Sequence, residues 1–129
     1  MAKSAENLAA VGIGVSDMAR SEDFYTRVLG MQVQQRIELP HLREVIVGFE
    51  GRTSVVLMHW IDGSKPNYQD NPVKLVFYVP NAGTVIEAIR AEGLAITREA
   101  EPLTDFNNLI IGLALDPDGY VVEFIQTPA

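Results

Sequence analysis

Apolar positions along the chain change period in a fixed order, and that order occurs twice. Residues 8–15 form a short apolar run rich in small side chains, which predicts a buried strand. Asp17 follows as a helix N-cap. Met18, Ser21, Phe24, Tyr25, Val28 and Leu29 then recur at helical spacing, and Gly30 stands where a left-handed cap would end the helix. Three strand-like stretches come next, at residues 32–39, 44–49 and 54–60, with Gly51-Arg52 turning between the last two.

Residues 61–72 hold Asp, Gly, Ser, Pro and Asn in the proportions of a linker. The pattern then begins again. Residues 74–79 predict a strand, Asn81 a second N-cap, and Val85, Ile86 and Ile89 a helix face that Gly93 terminates. Strands are expected at 95–98, 109–115 and 120–126, and Asp116-Pro117-Asp118-Gly119 is a strong turn signal between the last two. The acidic stretch 99–108 predicts a loop able to cover a cavity. The expected class is therefore α+β, one domain over residues 1–129 carrying an internal repeat of βαβββ units at 8–60 and 73–126.

Composition narrows the partners. A hydrophobic fraction of 47% is ample for a globular core. The net charge of −7 repels nucleic acid and anionic membranes, so neither is an expected partner. No apolar run approaches the roughly 18 residues a membrane helix needs. The first residues lack the apolar core of a signal peptide, which points to the cytoplasm. Cysteine is absent, so thiolate chemistry and disulfides are excluded.

Three segments resemble the vicinal oxygen chelate superfamily of glyoxalase I and the bleomycin-resistance proteins. Residues 11–31, with Phe24-Tyr25 and Leu29-Gly30, resemble its opening strand and helix. Thr97-Arg98-Glu99-Ala100 is similar to a stretch of bacterial glyoxalase I, and Asp116-Pro117-Asp118-Gly119 through Glu123 to the family's closing turn and strand. The resemblance implies paired βαβββ units curled into half-barrels around a cavity, and a homodimer. It also implies, in the metal-dependent enzymes, four ligands from the inner faces of the first and last strands of each unit.

The repeat itself marks four quasi-equivalent positions. Ala10 and Lys74 each lie seven residues before the helix caps, and Leu57 and Glu123 each follow a Val-Val pair. The resemblance places the ligand sites at these same residues, where only Glu123 is a competent donor. The expectation is a protein with no metal and no other cofactor. Strand alternation turns Ala10, Gly12 and Gly14 inward from the first strand, Val55, Leu57 and His59 from the fourth, Lys74, Val76 and Tyr78 from the fifth, and Val121, Glu123 and Ile125 from the last. The predicted site is an apolar small-molecule cavity in which Lys74, Glu123, His59 and Tyr78 are the candidate catalytic groups. Ala10, Gly12, Leu57, Val76 and Trp60 are its substrate-binding positions.

Each candidate has a plainer reading beside it. Lys74 opposite Glu123 is either an acid–base pair or a structural ion pair standing in for the metal. His59, near a strand end, is a catalytic group or a rim residue. Two functions follow. One is a metal-independent lyase or isomerase acting by acid–base chemistry on an oxygenated, enolisable small molecule. The other is a non-catalytic, ligand-sequestering protein of the bleomycin-resistance type, with Trp60 as a stacking surface.

Overall fold

The computed structural model describes residues 4–128, and the chain divides after Tyr68 into two compact units. The first runs β1 (Ala10–Gly14), α1 (Met18–Asp23), a π-helical turn (Phe24–Val28), β2 (Gln32–Glu38), β3 (Leu42–Gly48) and β4 (Ser54–Trp60). Its four strands lie in the order β1-β4-β3-β2, with β1 parallel to β4 and the other pairs antiparallel. The second runs β5 (Lys74–Val79), α2 (Ala82–Ala91), β6 (Ile96–Leu103), a 3-10 turn (Thr104–Phe106), β7 (Leu109–Leu115) and β8 (Val121–Gln126). Its order is β5-β8-β7-β6, again with one parallel edge pair.

Local chemistry explains the boundaries. Asp17 accepts a bond from the Arg20 amide at 3.0 Å, and Asn81 accepts one from Thr84 at 3.0 Å, so each helix starts on a side-chain cap. The first helix does not continue as α beyond Asp23. The Thr26 hydroxyl donates to the Glu22 carbonyl at 2.7 Å, and the Leu29 amide reaches back five residues to the Phe24 carbonyl at 3.1 Å. The widened turn keeps the adjacent rings of Phe24 and Tyr25 buried, edge to face at 5.0 Å.

One face of each sheet is packed against its helix. In the first unit Ile13, Val15, Val45, Val47, Val55 and Leu57 are buried with Phe24 and Tyr25. In the second, Ile86 and Ile89 of α2 are buried with Ala114, Val122 and Phe124. Gly112 lets α2 approach, since a β-carbon there would lie 2.7 Å from Ile86 Cγ1. The turn before β8 is locked by Asp116, which is buried and accepts bonds at 2.9 Å from the amides of both Asp118 and Tyr120.

Two expectations are corrected. The half-barrels around a cavity are not formed: each unit is an open four-stranded sheet whose outer strands, β1 and β2 or β5 and β6, do not pair with each other. Alternation specifies which side chains share a face, but curvature depends on strand number and stagger, and four strands are too few to close. The first half of the loop expected at 99–108 is strand, since β6 continues to Leu103, and a 3-10 turn follows at Thr104–Phe106. The pairing of β6 with β7 is irregular around Arg98. The Arg98 guanidinium holds the irregularity by donating to the carbonyls of Ile111 at 3.1 Å, Pro102 at 3.2 Å and Glu101 at 3.3 Å. Among the described residues no helix is long and apolar enough to cross a membrane.

Candidate functional site

The helix-free faces of the two sheets carry different chemistry. On the second sheet, register places Lys74 beside Val121, Val76 beside Glu123, and Tyr78 beside Ile125. Lys74 Nζ donates to Glu123 Oε1 at 3.1 Å. The partners are unequally exposed, with side-chain accessibility of 52% for Lys74 and 15% for Glu123. The ammonium therefore has room to swing away, while Glu123 is flanked in register by Val76 and Leu113. Tyr78, on the same face, is 78% exposed.

On the first sheet, Ala10, Gly12 and Gly14 share the helix-free face. A β-carbon at Gly12 would meet Met58 Cε at 3.0 Å, and one at Gly14 would meet the Tyr68 ring at 3.1 Å and Trp60 at 3.7 Å. These glycines leave space that Met58, Trp60 and Tyr68 fill. Tyr68 lies in the linker, yet its hydroxyl accepts the Trp60 amide at 3.2 Å, and its ring lies 6.0 Å from that of His59 at an interplanar angle of 17°. His59 Nδ1 donates to the Val15 carbonyl at 2.9 Å. Sequence reasoning missed Tyr68 and Met58, although Tyr68 is the single aromatic residue in a polar linker.

Leu57 is not on this face. It is fully buried on the helix side, paired in register with Ile13 and Val45. The parallel edge pairs supply the true correspondence. Ala10 pairs with Ser54 as Lys74 pairs with Val121, so Val56 is the counterpart of Glu123. Val55 and His59 share the parity of Leu57.

The metal site that the family resemblance implies can now be tested on these residues. Ala10 and Val56 or Leu57 carry no donor atom, and Lys74 already places a cation on the one carboxylate. Among the described residues no three His, Cys, Asp or Glu side chains are gathered so as to hold a metal ion. The donor set does not fit a divalent ion.

Two clefts of small-molecule size lie elsewhere. One of about 480 Å³ is lined by Met18, Glu22, Thr26, Arg36, Arg43 and Val45, the other of about 660 Å³ by Asn81, Thr84, Ile86, Glu87, Glu99 and Glu101. Neither is lined by Lys74 or Glu123. Several of their charges are paired. Arg36 grips Glu22 through two bonds, at 2.5 and 3.0 Å, and these hold the Glu22 carboxyl below its ordinary value. Arg90 binds both Glu87 and Glu99. The Arg36–Glu22 and Arg90–Glu99 pairs each tie a helix to its sheet.

Two helix-backed, four-stranded units of βαβββ order define the class of α+β protein to which the chain belongs. Residues 7–124 match the Glyoxalase/Bleomycin resistance protein/Dioxygenase superfamily, and the chain belongs to it. It is 33% identical over 117 residues to a lactoylglutathione lyase of Escherichia coli O157:H7, covering 87% of this chain and 86% of that protein. Identity to the lactoylglutathione lyase of Neisseria meningitidis serogroup A is 31% over the same length. Glyoxalase I from Zea mays superposes with a TM-score of 0.81 at 24% identity, covering 95% of this chain but only 45% of the maize chain. TnmS3, an antibiotic binding protein from Streptomyces sp. CB03234, superposes with a TM-score of 0.75 at 19% identity, over 98% of this chain and all of that one.

Proposed function

We propose that the protein is a metal-independent lyase or isomerase that moves a proton next to the carbonyl of an oxygenated, enolisable small molecule. Glu123 is the base, and Lys74 stabilises the negative oxygen that develops as the proton leaves. The observation carrying this reading is the asymmetry of the pair. A half-exposed lysine bonded to a mostly buried carboxylate on an apolar sheet face adds little stability, since exposed pairs contribute ~0–1 kcal/mol. The arrangement does suit a reaction in which Lys74 turns from Glu123 to a substrate oxygen and frees the carboxylate to accept a proton. Tyr78 on the same face is a candidate partner for a second substrate oxygen. Relationship to the lactoylglutathione lyases makes α-hydroxy thioesters and their carbonyl precursors the first substrates to try.

A second reading is ligand sequestration without turnover, in the manner of the antibiotic binding protein. The aromatic cluster of the first unit favours it. Deuterium exchange separates the two. Incubated with S-lactoylglutathione and a panel of α-hydroxy ketones in D₂O with a chelator present, an enzyme exchanges the proton beside the carbonyl, and E123Q does not. Binding with no exchange across the panel would leave sequestration. We further propose that the chain works in the cytoplasm as a homodimer on small molecules, with no nucleic-acid partner. The exposed Val76 and Tyr78 on edge strand β5 support the dimer, because a partner copy would cover them. A monomer by light scattering at micromolar concentration would refute it.

A further inference from the structure

We infer that the first unit carries a separate binding site for a phenol, made by His59, Tyr68 and Trp60, independent of the reaction assigned to Lys74 and Glu123. A carbonyl oxygen can only accept, so the bond from His59 to Val15 O fixes the proton on Nδ1. In the neutral ring that leaves Nε2 as a lone pair in a fixed direction. Every buried side-chain nitrogen or oxygen among the described residues has a partner; Nε2 has none and so opens onto accessible space. Tyr68 is complementary. Its oxygen accepts the Trp60 amide at 3.2 Å, which leaves its own O–H to donate elsewhere.

The acceptor and the donor sit on neighbouring rings, close to parallel at 17° with centroids 6.0 Å apart. Their position is fixed because Gly14 has no side chain to displace Tyr68. A single hydroxyl satisfies both groups at once, donating to Nε2 and accepting from the Tyr68 O–H. The rest of the surface is apolar and aromatic, with the Trp60 ring 6.5 Å from Tyr68 and Met58 beside it. Arg43 lies across from His59 in register, and its charge is paired with Glu38 at 3.6 Å. A neutral ligand with a hydroxyl on an aromatic ring meets all of these features, and the acidity of a phenol makes it the better donor to imidazole.

The chain has one tryptophan, so the indole N–H cross-peak in a ¹H–¹⁵N spectrum reports this site alone. The wild-type protein is titrated with 4-methylphenol and, separately, with toluene, which has the same ring and no hydroxyl. The phenol is expected to bind at least about tenfold more tightly than toluene, the effect of two added neutral hydrogen bonds. Y68F keeps the ring and removes the donor, and H59N keeps an N–H for Val15 while removing the ring nitrogen acceptor. Each should reduce phenol affinity toward that of toluene, whereas E123Q should leave it unchanged. Equal binding of the two compounds, no binding of the phenol, or wild-type phenol affinity in Y68F would overturn the assignment. The wild-type comparison and Y68F decide the matter even if H59N fails to fold.

Discussion

The two units have the same strand order, the same parallel edge pair and the same side-chain helix cap, yet their helix-free faces share almost nothing. In the first unit that face is built from glycines filled by Met58, Trp60 and Tyr68. In the second it carries Lys74 bonded to Glu123. The common part is the helix-side core: Ile13, Val47, Val55 and Leu57 in one, Ile86, Ala114, Val122 and Phe124 in the other. Packing on that side keeps the topology, because a buried face tolerates only apolar side chains of the right volume. The other face is free of that demand, so it can diverge toward recognition in one unit and toward charge in the other.

The largest expected effect tests the charged face. Once turnover is found, E123Q should lower kcat by on the order of 10²- to 10⁴-fold, the usual effect of removing a general base. K74M should also lose activity while remaining folded. If the pair is structural, K74M and K74M/E123Q should instead change denaturant stability, with activity following only the fraction folded. Because Lys74 is half exposed, the stability change expected on our reading is within ~1 kcal/mol.

The glycines sharpen the comparison next. Gly112→Ala drives a methyl against the buried Ile86, with contacts of 2.7 and 2.9 Å, and should destabilise the protein by ~1–3 kcal/mol in urea unfolding. Gly12→Ala meets only the flexible end of Met58, at 3.0 and 3.1 Å, and should cost less than ~1 kcal/mol. Equal losses would mean that the two faces are equally rigid. Asp17→Ala and Asn81→Ala remove equivalent caps and should each cost ~1 kcal/mol, a symmetry that thermal melts can check.

The smallest effect is a pH dependence in the first unit. The Arg36 hydrogen bonds lower the Glu22 pKa from 4.5 in the folded protein. The contribution is therefore complete above that ordinary value and is lost as pH falls through the lowered one. E22Q should remove this acid-side dependence, at most ~1 kcal/mol because Arg36 is well exposed. Unfolding curves collected from pH 6 down to pH 3 would measure it, and an unchanged slope in E22Q would assign the dependence to other carboxylates.

Much was legible in the sequence because it depends on nearest neighbours. The caps at Asp17 and Asn81, the glycine stops, the Asp116 turn and strands β4, β5 and β7 follow from local hydrogen bonding and period. The poverty of metal donors at Ala10 and Lys74 was legible for a simpler reason, since donor chemistry belongs to the residue itself. The strand through 99–103 was not legible. An acidic, proline-containing segment has loop propensity, and only its pairing with β7, held by Arg98, makes it extended sheet.

Leu57 marks the boundary between the two kinds of knowledge. The sequence by itself determined that β4 alternates and that a Val-Val pair stands near its start, as in β8. It could not determine which valine of each pair faces the helix. Register with β1 decided that Val55 matches Val122, which makes Val56 the counterpart of Glu123 and buries Leu57. Side chains in a strand have a period of two, so an offset of one residue exchanges the faces. Only tertiary pairing could resolve it. The open sheets and the seating of Tyr68 on Gly14 were decided the same way, by contacts between residues far apart in the chain, whose geometry no local pattern encodes.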